Sequence, residues 1–325
     1  MKRYEIIINH KRFYVPLQAA LTDVGLLSLG ENWIPTKQYL ENTCACLIDF
    51  YDVMRYPLKT YRLKKRLNKY NIPLIAWNRD APHYLNKKTW RLDLFNRIKL
   101  LDIYATHTLI NSSRTFADTV LYLPNAADIE RYHLYGNEKT IFTHLRDPLN
   151  YRYDVSFFGG MDGSRYKEDI DREIFFSSLS KELDKKDIRY NFIETGANNL
   201  SVDQQIKIIQ SSVININYGA RCEYGAPVAS GLPERCFGIP ASGGFLLCDK
   251  RTHTKDTFIV GKHMDEFNDL PECVSKIEYY IKHFNQARDI AENGYHHVVQ
   301  NHTYRNRAIK LHDYILLWEN KKTKK

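Results

Sequence analysis

Apolar runs of strand length alternate with stretches of helical period along most of the chain. Tyr4 to Asn9 predicts a strand and Leu17 to Leu29 a helix. Cys44 to Phe50 predicts a buried strand with a polar exit at Asp49 and Asp52. A basic helix follows, then a strand over Ile72 to Trp77, a helix over Trp90 to Lys99, and strands at Ile103 to Thr108 and Thr119 to Leu123. The stretch Gly136 to Asn150 is mostly polar, contains Pro148 and shows no period, so the domain boundary is placed there.

The alternation then restarts. Strands are predicted at Tyr153 to Phe158, Arg189 to Glu194, Val213 to Tyr218 and Gly244 to Cys248. Helices are predicted at Lys167 to Asp184 and Val202 to Ser211, with a helix or turn at Arg235 to Ala241. Leu270 to Asn293 reads as largely helical with Gly294 as its C-cap, and Tyr304 to Trp318 carries an apolar stripe of Leu311, Ile315 and Trp318. Strand–helix–strand alternation implies parallel sheets with helices on both faces. The expected fold is α/β, with two doubly wound, Rossmann-like halves at 1–145 and 146–303 and a terminal segment at 304–325. Such sheets bind ligands at the carboxyl ends of their strands.

The length of 325 residues suits two cores better than one. No apolar run approaches the roughly 20 residues of a membrane helix, and the start of the chain holds only a three-residue isoleucine run, Ile6 to Ile8, too short for a secretory signal. A cytoplasmic protein is expected. The six cysteines fit no zinc spacing and are too sparse for a disulfide scaffold. A net charge of +9, concentrated at Lys59–Lys69 and in the lysine-rich tail, attracts phosphates: a nucleotide, an anionic membrane surface or a nucleic acid. The bland reading of Lys59–Lys69 is a solvated helix face, because Leu63, Leu67 and Tyr70 take the inward positions.

Four segments carry candidate chemistry. Phe157-Phe-Gly-Gly-Met-Asp-Gly163 is a glycine turn between strand and helix. There Gly159 and Gly160 would let backbone amides face a phosphate, with Arg165 offering paired donors. Gly231 to Asp249 places Glu234 and Arg235 before the small-residue turn Ser242, Gly243 and Gly244. A carboxylate suits ribose hydroxyls, an arginine suits phosphates, and the small residues would let a donor lie against the backbone. Trp77-Asn-Arg-Asp-Ala-Pro-His83 follows a buried strand and offers Asp80 or His83 as a base for an acceptor hydroxyl. Asn215 to Arg221 ends another strand, with Tyr218 able to stack on a ring and Arg221 to meet a phosphate.

Residues 153–315 resemble the group 1 glycosyltransferase carboxy-terminal domain of the CgeB-like type. The resemblance rests on Ser156-Phe-Phe-Gly-Gly160, Leu232-Pro-Glu-Arg-Cys-Phe237 with Ala241-Ser-Gly-Gly-Phe-Leu-Leu247, Ile277-Glu-Tyr-Tyr-Ile281 and His302-Thr-Tyr-Arg-Asn-Arg307. It implies a GT-B fold whose last helix crosses back to the first domain. It also implies a nucleotide-sugar donor held by the second domain, and a glycan, lipid-linked or modified-DNA acceptor. No metal or cofactor is expected, since arginines and amides would meet the charge of the departing diphosphate. Relatives carry a glutamate directly after the phenylalanine, where this chain has Gly238, and the partner position is Ser230. That departure leaves a non-catalytic sugar-nucleotide binder as one alternative, with Glu234 as a substitute ribose contact. The basic clusters leave a nucleic-acid-binding protein as another. Asp169 and Asp171 match an acid pair of the other main transferase fold, but residues two apart in a helix diverge. His296, His297 and His302 lack the acids or cysteines that zinc spacing requires.

Overall fold

The run Thr43–Asp49 is apolar at nearly every position and becomes a strand buried along almost its whole length, which fixes it inside a sheet covered on both faces. The structure, a computed structural model, describes residues 5–8, 15–29, 37–41, 43–79, 89–110, 116–196, 198–220 and 228–322. They form two units, Met1–Asn125 with Tyr304–Lys325, and Ala126–Thr303.

In the first unit β1 (Glu5–Ile8), α1 (Val15–Asp23), β2 (Leu27–Leu29), α2 (Lys37–Glu41) and β3 (Thr43–Asp49) are followed by α3 (Phe50–Arg55) and α4 (Pro57–Asn68). Then come β4 (Leu74–Asn78), α5 (Thr89–Ile98), β5 (Leu101–Thr106) and β6 (Ala117–Tyr122). The strands form one parallel sheet in the order β2-β1-β3-β4-β5-β6. Tyr104 packs edge-on against Phe50 and Phe116, which are tilted against each other, with centroids 4.7–5.2 Å apart. The predicted helix at Leu17–Leu29 is shorter, because Gly25 turns the chain at φ +72° and Leu27–Leu29 joins the sheet beside β1.

The second unit begins with α6 (Glu138–Leu145), β7 (Tyr153–Gly159), α7 (Ile170–Asp184), β8 (Tyr190–Glu194), α8 (Val202–Gln210) and β9 (Ser212–Asn217). It continues with α9 (Arg235–Ala241), β10 (Leu246–Asp249), β11 (Asp265–Phe267), α10 (Leu270–Lys282) and α11 (Phe284–Asn301). Its parallel sheet runs β11-β10-β9-β7-β8. The strand order reverses between β7 and β9, the place where doubly wound sheets open a ligand crevice.

Two readings of the sequence differ here. The polar stretch 136–150 is not a linker. Asn137 caps α6, which buries Phe142 and Leu145 in the core of the second unit, so the division falls earlier, at Asn125. Gly294 is not a C-cap either. α11 runs through it, and a Cβ there would stand 2.4 Å from the His263 carbonyl oxygen, so glycine is needed for close approach.

The last helix, α12 (Tyr304–Lys322), packs on α1 within the first unit. Leu311 and Ile315 are fully buried there, each contributing roughly 1.5–3 kcal/mol. Arg307 lies beneath them, and its guanidinium donates to the carbonyls of Pro124 and Asn125. Burial pulls its pKa down to about 10. No helix among the described residues is long and apolar enough to cross a membrane.

Candidate active site

Alternation along β7 sends Phe157 into the core under α7, where its ring lies 4.0 Å from that of Phe176, and Phe158 into the opposite core under α9. The strand ends at Gly159, paired with Glu194 of β8. The glycine turn that follows is not an open cradle of amides. The Glu194 carboxylate accepts from the amides of Met161 and Gly196, and Glu173 accepts from Gly163 at 2.9 Å. Asp162 accepts from Ser164 and Arg165 at 3.0 Å each. These hydrogen bonds hold the Asp162 carboxyl below the usual range, the Ser164 hydroxyl first among them. Arg165 is exposed and donates to the Gly196 carbonyl at 2.5 Å. The turn amides of Met161, Gly163, Ser164 and Arg165 are thus taken by this chain's own acids, and Arg165 is not among the residues lining the cavity described next.

Arg235, the first residue of α9, is placed differently. Its guanidinium lies over the rings of Phe157 and Phe158, at 4.6 and 5.7 Å from their centroids. It also rests on Gly159, where a Cβ would stand 2.7 Å from Nη2. Nη1 is buried and has no hydrogen-bond partner among the described residues. Burial first, and repulsion from Arg172 second, pull its pKa to about 10. The residue as a whole is only partly buried, and it lines a cavity of about 300 Å³ together with Gly159, Thr195, Asn198, Gln205, Tyr132 and Glu234. Glu234 is half-buried beside it and does not cap its own helix.

Tyr132 closes one wall of that cavity, donating from its hydroxyl to Gln205 Oε1 at 2.6 Å. Its ring lies against Gly238, where a Cβ would meet it at 3.2 Å. The space beside Gly238, where the resemblance implied a glutamate, is therefore filled by a tyrosine ring from another segment.

A second cavity, of about 280 Å³, opens at the ends of β9 and β10, lined by Arg172, Tyr218, Gly219, Asp171, Asp249 and Lys250. The Tyr218 ring stacks on Phe175 at 3.7 Å and 7°, so one of its faces is already covered. Arg172 spans the crevice between β7 and β9. It donates to the carbonyls of Tyr218 (3.0 Å), Gly219 (2.9 Å) and Gly160 (3.3 Å), and sits 3.6 Å from the buried Asp169. Asp249 ties the same edge together, accepting from Asn217 at 2.8 Å, from the Gly219 amide at 3.1 Å, and from Arg251. Arg172, Asp249 and Arg251 escaped the sequence reading. Their one signal was an arginine inside the acidic stretch Glu168 to Glu173.

Ser242, Gly243 and Gly244 are not at this edge. They end α9 and lead into the amino end of β10. Gly243 takes φ +78° against Leu134 and Leu145, and a Cβ on Gly244 would collide with Ile209 at 2.4 Å. The turn is small because the core is tight there, not to admit a donor. Asp80, His83, Arg221, Glu223 and Tyr224 lie outside the described residues. His297 Nε2 donates to the Thr257 carbonyl (2.7 Å) and lies 3.1 Å from His302 Nε2. Among the described residues no three histidines, cysteines or acids cluster where a metal ion could be held.

Residues 149–313 match the family model described as "Glycosyl transferase-like". No curated protein matches the chain. Among solved structures, sucrose-phosphate synthase from Thermosynechococcus elongatus is 10% identical and superposes with a TM-score of 0.61 over 98% of this chain and 100% of its own. A glycosyltransferase from Rickettsia africae is 11% identical, with a TM-score of 0.56 over 97% and 99%. Anabaena HepE in complex with UDP-glucose is 11% identical, with a TM-score of 0.55 over 98% and 99%. The fold of this chain is that of the GT-B glycosyltransferases.

Proposed function

We propose that this chain, which belongs to the glycosyl transferase-like family, moves a sugar from a nucleotide-sugar donor to an acceptor hydroxyl. The observation that carries this reading is Arg235, a cation with a buried, unpartnered Nη1, in the lining of a cavity at the carboxyl edge of β7. An oxyanion there would complete the hydrogen bonds that the protein leaves open, and the diphosphate of a donor is such an anion. HepE, a neighbour by fold, was solved with UDP and with UDP-glucose, which makes uridine nucleotides the first ligands to try. Glu234, beside Arg235 in the same cavity, is the acid that would meet the ribose in this reading.

In the reaction the acceptor oxygen bonds to the anomeric carbon while the bond from that carbon to the diphosphate breaks. The electron pair leaves with the nucleoside diphosphate, and the acceptor proton passes to a base. Arg235, with Arg172 adding to the positive potential, stabilises the charge that builds on the leaving group. The segment after β4, with Asp80 and His83, supplies the base in this reading. The CgeB-like subtype, an arginine-based rather than metal-based leaving-group site, and a surface-glycan or lipid-linked acceptor are parts of the same proposal.

The test is a thermal-shift screen against nucleoside diphosphates and their sugars. A ligand at about 100 times its Kd stabilises the native state by roughly 2.7 kcal/mol. Uridine diphosphate and one of its sugars should raise Tm, and the sugar should then be released or transferred. Stabilisation without turnover would favour a non-catalytic binder, as the Tyr132 ring over Gly238 would suit. No shift from any nucleotide would end the proposal.

A further inference from the structure

We propose that the outward face of α4 and α5 docks on an anionic lipid surface. α4 turns Thr60, Leu63 and Leu67 into the core. Its opposite ridge, at helical spacing, carries Leu58, Arg62 and Lys65, with Lys69 just beyond the end and Tyr61 alongside, all exposed. Leu58 is 74% exposed, and the helix contains no acid.

α5 repeats the pattern in apolar form. Phe95 faces the core, while Trp90, Leu94 and Ile98 stand four residues apart and are exposed, Trp90 at 61%. The two helices link β3 to β4 and β4 to β5, successive neighbours in one parallel sheet, so right-handed crossovers put both on the same face. Lys64 fastens them together, donating to the Lys99 carbonyl at 2.8 Å and pairing with Asp102 at 3.6 Å. That use neutralises Lys64 and leaves Arg62, Lys65 and Lys69 outward; Asp93 is an exposed acid on the same side of α5.

The composite surface has two components, cationic side chains and exposed aliphatic and aromatic ones. A nucleic acid would satisfy the cations and the rings, but it offers no apolar layer for Leu58, Leu94 and Ile98. An anionic bilayer offers both: phosphates for the basic ridge, the headgroup level for Trp90 and Tyr61, and the acyl boundary for the aliphatic residues. Each basic residue near such a surface contributes enough that losing three weakens binding on the order of 100-fold.

The experiment is co-sedimentation of the full chain with phosphatidylcholine vesicles, with and without phosphatidylglycerol, at low and physiological salt. The wild type should sediment with the anionic vesicles only. The triple variant Arg62→Ala, Lys65→Ala, Lys69→Ala should bind them about 100-fold more weakly, with an unchanged circular dichroism spectrum. Trp90→Ser and Leu58→Ser together should remove the binding that survives at physiological salt. Absence of sedimentation with anionic vesicles at low salt, equal binding by the triple variant, or retention by duplex DNA in place of vesicles would overturn the proposal. It stands apart from the sugar-donor reading, because the triple variant should keep any nucleotide-induced rise in Tm.

Discussion

Replacing Arg235 with methionine should make the ligand-free protein more stable while removing its affinity for nucleoside diphosphates. The guanidinium is drawn from 12.5 to about 10 by burial and by Arg172, and because the residue keeps some exposure folding disfavours the cation by at most roughly 3 kcal/mol. The contacts with Phe157 and Phe158 return about 1 kcal/mol of that. A lowered pKa on a base costs stability wherever the unfolded chain is protonated and the fold resists it, so the cost is present at neutral pH and lifts as pH rises through about 10. Methionine keeps the apolar stem over the two rings and removes the charge. The expected gain is roughly 1–2 kcal/mol, or a few degrees in Tm. In the same scan the shift produced by uridine diphosphate should vanish, because a hydrogen bond to a charged group contributes roughly 1.5–3 kcal/mol. Differential scanning fluorimetry with and without nucleotide reads both numbers. If Arg235→Met lowered Tm, the arginine would be part of the scaffold, and the argument from its idle Nη1 would fail.

Three further outcomes follow from individual contacts. Gly159→Ala sets a Cβ 2.7 Å from Arg235 Nη2 and 2.8 Å from the Phe157 ring; the flexible guanidinium should yield, so titration calorimetry should find nucleotide affinity reduced by about 10-fold or more for a stability loss near 1 kcal/mol. Gly294→Ala meets the His263 backbone oxygen at 2.4 Å, which cannot yield as easily, and urea titration should show a loss of about 1–3 kcal/mol with affinity intact. His263 is pulled to about 4 by burial, by His297 and by Lys262, so the unfolded chain takes up a proton there that the fold refuses. Stability of the second unit should therefore fall as pH drops from about 6.5 to about 4, and a His263→Phe variant, monitored by denaturant midpoint, should lose most of that slope.

The two parallel sheets were legible in the sequence because their strands are buried on both faces and so read as unbroken apolar runs. Thr43–Asp49, Leu74–Asn78 and Ser212–Asn217 are examples. Edge elements were not legible. β2 and β11 are three residues each, too short for a period to show. α6 was missed because its eight residues bury only Phe142 and Leu145, and the cap that starts it is a single asparagine. Gly294 misled for a related reason: glycine at a helix end and glycine at a close crossing look alike in sequence, and only the His263 carbonyl distinguishes them.

The site was legible only where its chemistry is local. Glu234 and Arg235 stand side by side on the cavity as their adjacency suggested. The glycine turn before them was given free amides, yet whether an amide is free depends on acids such as Glu194 and Glu173, which arrive from another strand and another helix. Arg172 likewise gains its position only when β7 and β9 become neighbours. The missing glutamate at 238 follows the same logic. In sequence Gly238 is a lost contact; in three dimensions it is the space that Tyr132 fills on its way to Gln205. A glutamate restored there would have to displace that ring and open the cavity wall. Gly238 and Tyr132 are therefore matched in space. Tyr132 and Arg235 line the same cavity, so a change at 238 that moved the ring would also change the space beside the guanidinium.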